Sequence, residues 1–390
     1  MNYTKEEVLQ YIQEEDVKFI RLAFCDVFGK QKNLSIMADE LPRAFERGIP
    51  FDPASISGFS QVTRSDLLLH PDPDTLSWLP WRPEHGKVVR MFCSITYPDG
   101  TDFPCDTRSL LKQAVKEGEE QGLTFSFATR QEFYLFQLDE NDNPTHLPYD
   151  TAGYMDIAPE DRGENIRREI ILLLEQMGIR PESSRHEAGP GQNTINFHYS
   201  DPLTAADHML TFQTIVKTVA RRNGLYADFS PRPIAGQPGN GLHITMSIDS
   251  PGAEDQIRPA AAGLLDHVKD MTLFLNPTEA SYDRLGHFRA PFQVSWSHEN
   301  SSALLRVPVV PGDHPRVVLR SPDPESNPYL SFILMIYAAL DGIRRNLSLD
   351  AAESDVTNLP MTLKAARDLA LSSDFIRSHV PGEILGVYPD

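Results

Sequence analysis

The chain has only three cysteines among its 390 residues, and they lie far apart in the sequence, at Cys25, Cys93 and Cys105. No two of them have the spacing of zinc ligands, and an odd number argues against a framework of disulfides. These absences exclude a small secreted domain held together by disulfides. They favour a reduced, cytoplasmic setting.

The sequence also lacks a long hydrophobic run. Its longest apolar stretch, residues 329–340, is too short for a transmembrane helix, which needs about 20 residues. The N-terminal segment Met-Asn-Tyr-Thr-Lys-Glu-Glu has no apolar core of the kind found in signal peptides. We therefore expect neither a membrane partner nor secretion.

The chain has fewer basic residues than acidic residues. The chain has 36 lysines and arginines against 55 aspartates and glutamates, which gives a formal net charge of −19. Such a surface repels nucleic acid and anionic membranes, so neither is expected as a partner. No long acidic run occurs, which favours a solvated acidic surface over an acidic interaction tail. With 40% hydrophobic residues, the chain is long enough for a large core divided into two domains.

The first hundred residues have the pattern of a small α+β unit. Thr4 and Glu7 form a capping-box signal for a helix that runs to about Glu14. Alternating apolar residues predict strands over residues 17–26, through residue 36 and over residues 88–97. A turn at residues 98–100 marks the predicted boundary between a first domain, residues 1–100, and a second domain, residues 101–390.

Strands alternate with long helices in the second predicted domain. The predicted strands cover residues 124–138, 193–199, 242–248 and 303–308. The predicted helices cover residues 106–121, 166–177, 205–222, 256–269 and 329–345. Together these patterns predict an α+β fold with an antiparallel sheet.

Three sequence features could contribute to a functional site. Arg130 and Glu132 are two residues apart on a predicted strand, so their side chains share one face. Glu187 precedes a Gly-Pro-Gly loop, and His243 follows the glycine-rich residues 236–241. Glycine lets a ligand approach the backbone closely, but such a loop is usually only a turn. A lone histidine is likewise more often a structural group than a metal ligand.

The order of motifs along the chain is more specific. Residues 128–133 read Ala-Thr-Arg-Gln-Glu-Phe, and residues 239–243 read Gly-Asn-Gly-Leu-His. Further motifs lie at residues 51–59, 185–194, 276–278, 281–285 and 316–330. This series resembles the glutamine synthetase family over nearly the whole chain. The resemblance implies an N-terminal β-grasp domain followed by a glutamine synthetase catalytic-type domain.

Members of that family join ammonia to glutamate with ATP, by way of a γ-glutamyl phosphate. The resemblance implies two divalent cations, magnesium or manganese, held by five glutamates and one histidine. In this sequence only Glu132, Glu187 and His243 match those ligands. The other three positions hold Arg130, Thr194 and Val318. The guanidinium of Arg130 can fill the place of a cation, and we expect it to pair with Glu132 or Glu187.

At the other positions of the family's site, this sequence retains some residues and replaces others. Asp52 matches an aspartate that the family supplies from a neighbouring subunit, and Arg284 matches a catalytic arginine. Arg289 replaces the flap glutamate that helps to take a proton from ammonium, and it cannot act as a base. Ser301 replaces an arginine that contacts substrate and phosphate. Three further arginines, expected to bind cofactor or another anion, are retained: Arg306, Arg316 and Arg320.

These replacements favour a catalytically degenerate homologue with a binding, regulatory or structural role. Such a protein needs no cofactor, and its arginine-rich pocket would take a small anionic ligand or a nucleotide. The alternative is an active ATP-dependent carboxylate–amine ligase with an altered, single-metal site that uses magnesium or manganese. A third interpretation, an acidic scaffold without a ligand, has little support beyond the acidic surface and the short C-terminus.

The resemblance also implies a homo-oligomer in the form of a hexameric ring. The sequence stops at Asp390, before the tail with which many bacterial members grip an opposing ring. We therefore expect a C-terminally shortened catalytic domain, and stacking of two rings into a dodecamer is less expected than a single ring.

Overall fold

The computed structural model describes residues 3–63, 65–82, 85–250, 252–309, 314–350 and 357–388. The chain forms two compact units. The first unit comprises Met1–Leu110, Glu175–Ile179 and Pro381–Pro389, and the second comprises Leu111–Leu174 and Arg180–Val380. The domain boundary after residue 100 stays a prediction.

The first unit begins with the predicted capping box. Thr4 Oγ1 accepts from the Glu7 backbone N–H at 3.1 Å, and Glu7 returns a bond to the Thr4 N–H at 2.7 Å. Its helices and strands are α1 Lys5–Glu14, β1 Val17–Cys25, β2 Gln31–Met37, α2 Leu41–Arg47, β3 Ile49–Phe51, β4 Leu67–Pro71, β5 Ser77–Trp78 and β6 Lys87–Thr96. Three predicted strands and one predicted helix are thus confirmed to within a residue or two at each end.

The sheet of this unit has the strand order β2-β1-β6-β4-β3, with β5 also paired to β6. β1 runs parallel to β6 and antiparallel to β2. Leu22 and Met91 face each other in the β1–β6 register, and both are fully buried. The apolar alternation that predicts these strands therefore places their buried residues in the core of the first unit.

The second unit is built on a larger sheet. Its strands are β7 Phe125–Leu138, β8 Pro144–Pro148, β9 Pro181–His186, β10 Gln192–Phe197, β11 Leu225–Asp228, β12 Leu242–Ile248, β13 Trp296–Ser297, β14 Leu305–Arg306 and β15 Arg316–Leu319. The order is β13-β14-β15-β12-β7-β10-β9, and β8 and β11 also pair with β7. Its pairings are antiparallel except for the short β13–β14 pair.

The α+β fold with an antiparallel sheet is therefore confirmed, with two differences in its strands. The predicted strand at residues 303–308 is ordered as a strand only over Leu305–Arg306. The apolar alternation of residues 303–308 favours a longer strand. In the structure, however, the β14 residues that pair with β15 are Leu305, opposite Leu319, and Arg306, opposite Val318. The sequence patterns also do not predict β8, β9, β11, β13 or β15. β8 and β9 have no apolar alternation, and β11, β13 and β15 have two to four residues, so none carries a strong periodic signal.

The helices that follow β6 in the chain are α3 Thr107–Glu120, α4 Glu164–Gln176, α5 Pro202–Arg222, α6 Ala253–Leu275, α7 Glu279–Arg284, α8 Pro328–Arg344, α9 Leu363–Ser372, α10 Asp374–His379 and α11 Gly382–Val387. The last of these belongs to the first unit. α8 is apolar because it is buried on most sides, with the ring of Phe332 stacked 4.2 Å from that of Phe127 in β7. In the described part of the chain, no helix is long and apolar enough to cross a membrane.

The close packing of α6 on α8 depends on two glycines. A Cβ added at Gly263 would lie 2.1 Å from the carbonyl oxygen of Ala338, and one added at Gly342 would lie 2.2 Å from that of Pro259. Both distances are too short for any side chain. Gly263 and Gly342 therefore let the two helix backbones approach directly, which holds α8 against the layer that supports the sheet.

Candidate functional site

Three neighbouring strands bring the predicted site residues together. In the register of β7 with β12, Arg130 lies opposite His243. In the register of β7 with β10, Glu132 lies opposite Thr194. Directly opposite residues of an antiparallel pair point to the same side of the sheet, so β7 is the strand that gathers the site.

The glycine-rich loop at residues 236–241 is held by side chains from this sheet. The Tyr134 hydroxyl donates to the Pro238 carbonyl oxygen at 2.6 Å, and Gln192 Nε2 donates to that of Gly239 at 3.1 Å. The Gly241 N–H donates to Glu132 Oε2 at 2.8 Å. A Cβ at Gly239 would lie 2.3 Å from the Pro231 carbonyl oxygen, so this position requires glycine. The loop is thus a fixed wall beside Glu132.

A cavity of about 510 Å³ opens between this wall and the strands. Most of the residues predicted for the site line it: Arg130, Glu132, Glu187, His243, Arg284, Arg289, Ser301, Arg306, Val318 and Arg320. The remaining described lining includes Tyr154, Gln192, His287 and Phe288. The sequence motifs, although separated by up to 190 positions, therefore converge on one site.

The guanidinium of Arg130 lies beside two residues that match the family's metal ligands, Glu132 and His243. Its Nη2 donates to Glu132 Oε1 at 3.0 Å and lies 3.4 Å from Nε2 of His243. The expected pairing of Arg130 with Glu132 or Glu187 is thus confirmed for Glu132. Burial and the nearby positive charge of Arg130 hold the pKa of His243 well below its usual value, so this imidazole is neutral at pH 7.

The ionised form of Glu187 is disfavoured in the folded protein. Burial, reinforced by the neighbouring Glu132 carboxylate, raises its pKa to about 7 even though Arg130 and Arg185 oppose the shift. Arg185 Nη2 lies 3.0 Å from Glu187 Oε1. This ion pair compensates part of the charge of the Glu187 carboxylate.

The replaced positions do not restore a metal site. Thr194 is fully buried, and its hydroxyl donates to the Gln131 carbonyl oxygen at 3.0 Å, while Val318 contributes only an apolar surface. Two clusters among the described residues bring three possible metal-ligating atoms within 4.8 Å of one another, and neither contains Glu132, Glu187 or His243. The residues present do not fit the metal pair that the family implies, because a guanidinium stands among the remaining ligands.

The retained arginines Arg284, Arg306 and Arg320 form a basic wall of the cavity. Arg284 is buried and donates from Nη1 to the Ser321 carbonyl oxygen at 2.8 Å. Arg320 donates from Nη1 to that of Ala303 at 3.2 Å. Burial and the adjacent Arg130 lower the pKa of Arg320 to about 10, so it remains charged at neutral pH. A wall of this kind binds carboxylate or phosphate oxygens.

Comparison with known proteins accounts for this arrangement. Residues 16–98 match the glutamine synthetase β-grasp domain, and residues 104–388 match the glutamine synthetase catalytic domain. The chain is 40% identical to the glutamine synthetase of Clostridium saccharobutylicum, over 99% of this chain and 93% of the relative. It is 39% identical to that of Methanosarcina mazei, over 99% and 92% of the two chains.

The chain belongs to the glutamine synthetase family. Two solved structures share its fold. A GmaS complex with ADP has a TM-score of 0.86 and 24% sequence identity, and the match covers 100% of this chain and 94% of the other. GmaS without ligand has a TM-score of 0.85 and 25% identity, and the match covers 97% of this chain and 94% of the other. The relatives support a ligase of the glutamine synthetase type. They favour the alternative interpretation, an ATP-dependent ligase, over the catalytically degenerate one.

Three residues expected at the family's site lie elsewhere or only at its edge. Asp52 belongs to the first unit, where its Oδ1 accepts from the Ala54 N–H at 2.8 Å and caps a short 3-10 helix. Arg316 begins β15 but is not among the described residues that line the cavity. Arg289 lines the cavity only as an exposed residue of its mouth.

Sequence reasoning missed Arg185 and Tyr154. Arg185 is two positions before Glu187, the same spacing as Arg130 and Glu132, so strand alternation could have indicated that pairing. Tyr154 lies in an irregular segment outside the strands and helices, and no periodic signal marks it. Only the folded structure brings Tyr154 to the cavity of this glutamine synthetase family member.

Proposed function

We propose that this protein is an ATP-dependent carboxylate–amine ligase of the glutamine synthetase type that works with an altered site. The observation that supports it is the convergence of Arg284, Arg306 and Arg320 on a single cavity that also contains the carboxylates of Glu132 and Glu187. Guanidinium groups in a partly closed cavity stabilise the negative charge of a carboxylate and of a transferring phosphoryl group.

The proposed reaction has two steps. A carboxylate oxygen of the acid substrate attacks the terminal phosphorus of ATP, the bond from that phosphorus to the bridging oxygen breaks, and ADP leaves. The amine nitrogen then attacks the acyl carbon, the bond from that carbon to the phosphate oxygen breaks, and phosphate leaves with the electron pair while the amine loses a proton to solvent. Arg306 and Arg320 hold the phosphate oxygens in both steps.

A second candidate is the catalytically degenerate homologue, which would bind an anion or a nucleotide without turnover. Two observations favour it specifically. The Arg130 guanidinium is bonded to Glu132 and lies beside His243, where the family's pattern requires metal ligands. Arg289 at the mouth also cannot accept a proton from ammonium.

An ADP-release assay separates the two candidates. We expect the purified protein to release ADP from ATP with glutamate and at least one amine of a panel that includes ammonia, with magnesium or manganese in the buffer. Arg320→Gln should lower kcat/KM by about 100-fold or more, because it removes a charge that stabilises the transferring phosphoryl group. Arg377→Gln changes an exposed arginine of α10 outside the cavity and should leave kcat/KM within about twofold.

The degenerate candidate would be established by two results together. No acid and amine tested would give ADP release, and calorimetry would show binding of ATP or glutamate that Arg320→Gln abolishes.

Calorimetry with magnesium and manganese tests the metal site. Because the residues do not fit a pair of cations, we expect no two-site binding of magnesium or manganese with dissociation constants below about a millimolar. Two such sites would contradict the altered site proposed here.

We also propose that the chain assembles as a hexameric ring, which its family membership supports. Mass photometry at sub-micromolar concentration tests the assembly against the chain mass of 43.8 kDa. A main species near six chains is expected. A monomer would overturn the ring, and a species near twelve chains would show that two rings stack.

A further inference from the structure

The cavity carries a large excess of positive charge. Five arginines are among the described residues that line it: Arg130, Arg284, Arg289, Arg306 and Arg320. Among the described lining residues, the carboxylates that face them are Glu132 and Glu187. In a cleft with low-dielectric walls, such an excess concentrates anions and excludes cations.

One of these arginines, Arg289, is exposed at the entrance of the cavity. Arg289 is exposed on a tight turn in which the Gly286 N–H donates to the Ala290 carbonyl oxygen at 3.1 Å and the Ala290 N–H donates to that of His287 at 3.0 Å. Within the described part of the chain, Arg289 makes no ion pair with any carboxylate. Its charge is therefore available to a ligand that enters the cavity.

An aromatic ring helps to fix this charge at the mouth. The Arg289 guanidinium carbon lies 5.9 Å from the centroid of the Tyr154 ring, and that of Arg185 lies 5.8 Å from the same centroid. Tyr154 also lines the cavity, and its side chain is half-exposed. The ring thus holds two guanidinium groups near the opening, one of which is already paired with Glu187.

We propose that the amine substrate of this site carries an acidic group of its own, as a free amino acid does, and that Arg289 binds that acidic group at the mouth. The inference rests on the proposed ligase function and names the class of its second substrate. Ammonium and diamines would have to pass the Arg289 guanidinium, which repels a cation at the mouth of the cavity. An amino acid instead offers its carboxylate to Arg289 in a bidentate pair, with its amino group directed inward.

Amines of similar size and different charge test the substrate class. With glutamate and ATP, we expect kcat/KM for glycine to exceed that for propylamine and for 1,2-diaminoethane by about tenfold or more. Arg289→Glu should lower the value for glycine by about tenfold to a hundredfold and raise that for 1,2-diaminoethane. Arg289→Gln should lower the value for glycine and raise that for the diamine by less than Arg289→Glu does. Arg377→Glu, which reverses an equally exposed charge outside the cavity, should change none of the three.

Calorimetry measures the binding of each amine with glutamate present and ATP absent. Because no turnover occurs without ATP, this measurement tests the acidic-amine site independently of the ligase function. If no amine is turned over, yet glycine binds the parent protein and Arg377→Glu but not Arg289→Glu, the ligase function fails and the acidic-amine site stands. Equal binding of glycine, propylamine and 1,2-diaminoethane would overturn the inference. So would glycine binding that Arg289→Glu leaves unchanged, in a variant whose circular dichroism and melting temperature match those of the parent.

Discussion

Replacing Arg130 with glutamate is expected to lower the free energy of unfolding by about 2–4 kcal/mol in metal-free buffer. The change removes the guanidinium that pairs with Glu132 at 3.0 Å and places a third carboxylate beside Glu132 and Glu187. The Arg130 side chain is 26% exposed, so solvent screens part of the effect and the loss falls below that of a fully buried pair. Denaturant unfolding monitored by circular dichroism measures the loss.

The same variant should respond to magnesium. A glutamate at position 130 lies opposite His243 and on the same strand face as Glu132, which makes a set of ligands that a divalent cation can bind. Millimolar magnesium should therefore recover part of the lost stability in Arg130→Glu and have little effect on the parent. The metal-dependent gain would measure how far Arg130 alone keeps cations out of this part of the cavity.

Arg377→Glu is the matched control for the Arg130 variant. Arg377 pairs with Asp374 on the surface of α10, and its side chain is 49% exposed. The same reversal of charge there should change the free energy of unfolding by less than about 1 kcal/mol. If Arg130→Glu is as stable as this control without metal, or more stable than the parent, the Arg130–Glu132 pair does not hold the site together.

Replacing Glu187 with glutamine is expected to raise the free energy of unfolding by about 2–3 kcal/mol at pH 8. Burial and the Glu132 carboxylate raise the pKa of Glu187 from 4.5 to about 7, so folding favours the protonated form. The stability that Glu187 contributes is therefore fully present below about pH 4.5 and is lost as the pH rises through 7. Glutamine stays neutral throughout and avoids that loss.

Urea unfolding of the parent and Glu187→Gln at several values between pH 5 and pH 8.5 measures this difference. The two curves should converge near pH 5 and separate as the pH rises. Glu160→Gln, which changes an exposed glutamate of the same unit, should differ from the parent by less than about 0.5 kcal/mol at every pH. A Glu187→Gln variant less stable than the parent at pH 8 would mean that the Arg185 contact outweighs the cost of burying the charge.

Much of the architecture follows from local pattern. The α1 capping box, the apolar alternation of β7 and the periodicity of α5 and α8 predict these elements to within a few residues of their observed ends. These signals are strong because each element buries one face, or nearly all of its surface, and its apolar residues must repeat with the period of the backbone. The strands β9 and β15 are polar or short, and pairing with β10 and β12 stabilises them.

The sequence also determined which charges the site contains. Arg130 replaces a carboxylate on the strand face that carries Glu132, and that fact needs no coordinates because side chains two residues apart on a strand point the same way. The tertiary structure alone decided which partner Arg130 takes, since Glu132 and Glu187 were both candidates. It also brought Arg185 to Glu187 and Tyr154 to the mouth, and left Arg316 outside the described cavity lining. Residue type and spacing fix the charge and the face of a strand, but contacts between distant segments depend on how those segments pack in three dimensions.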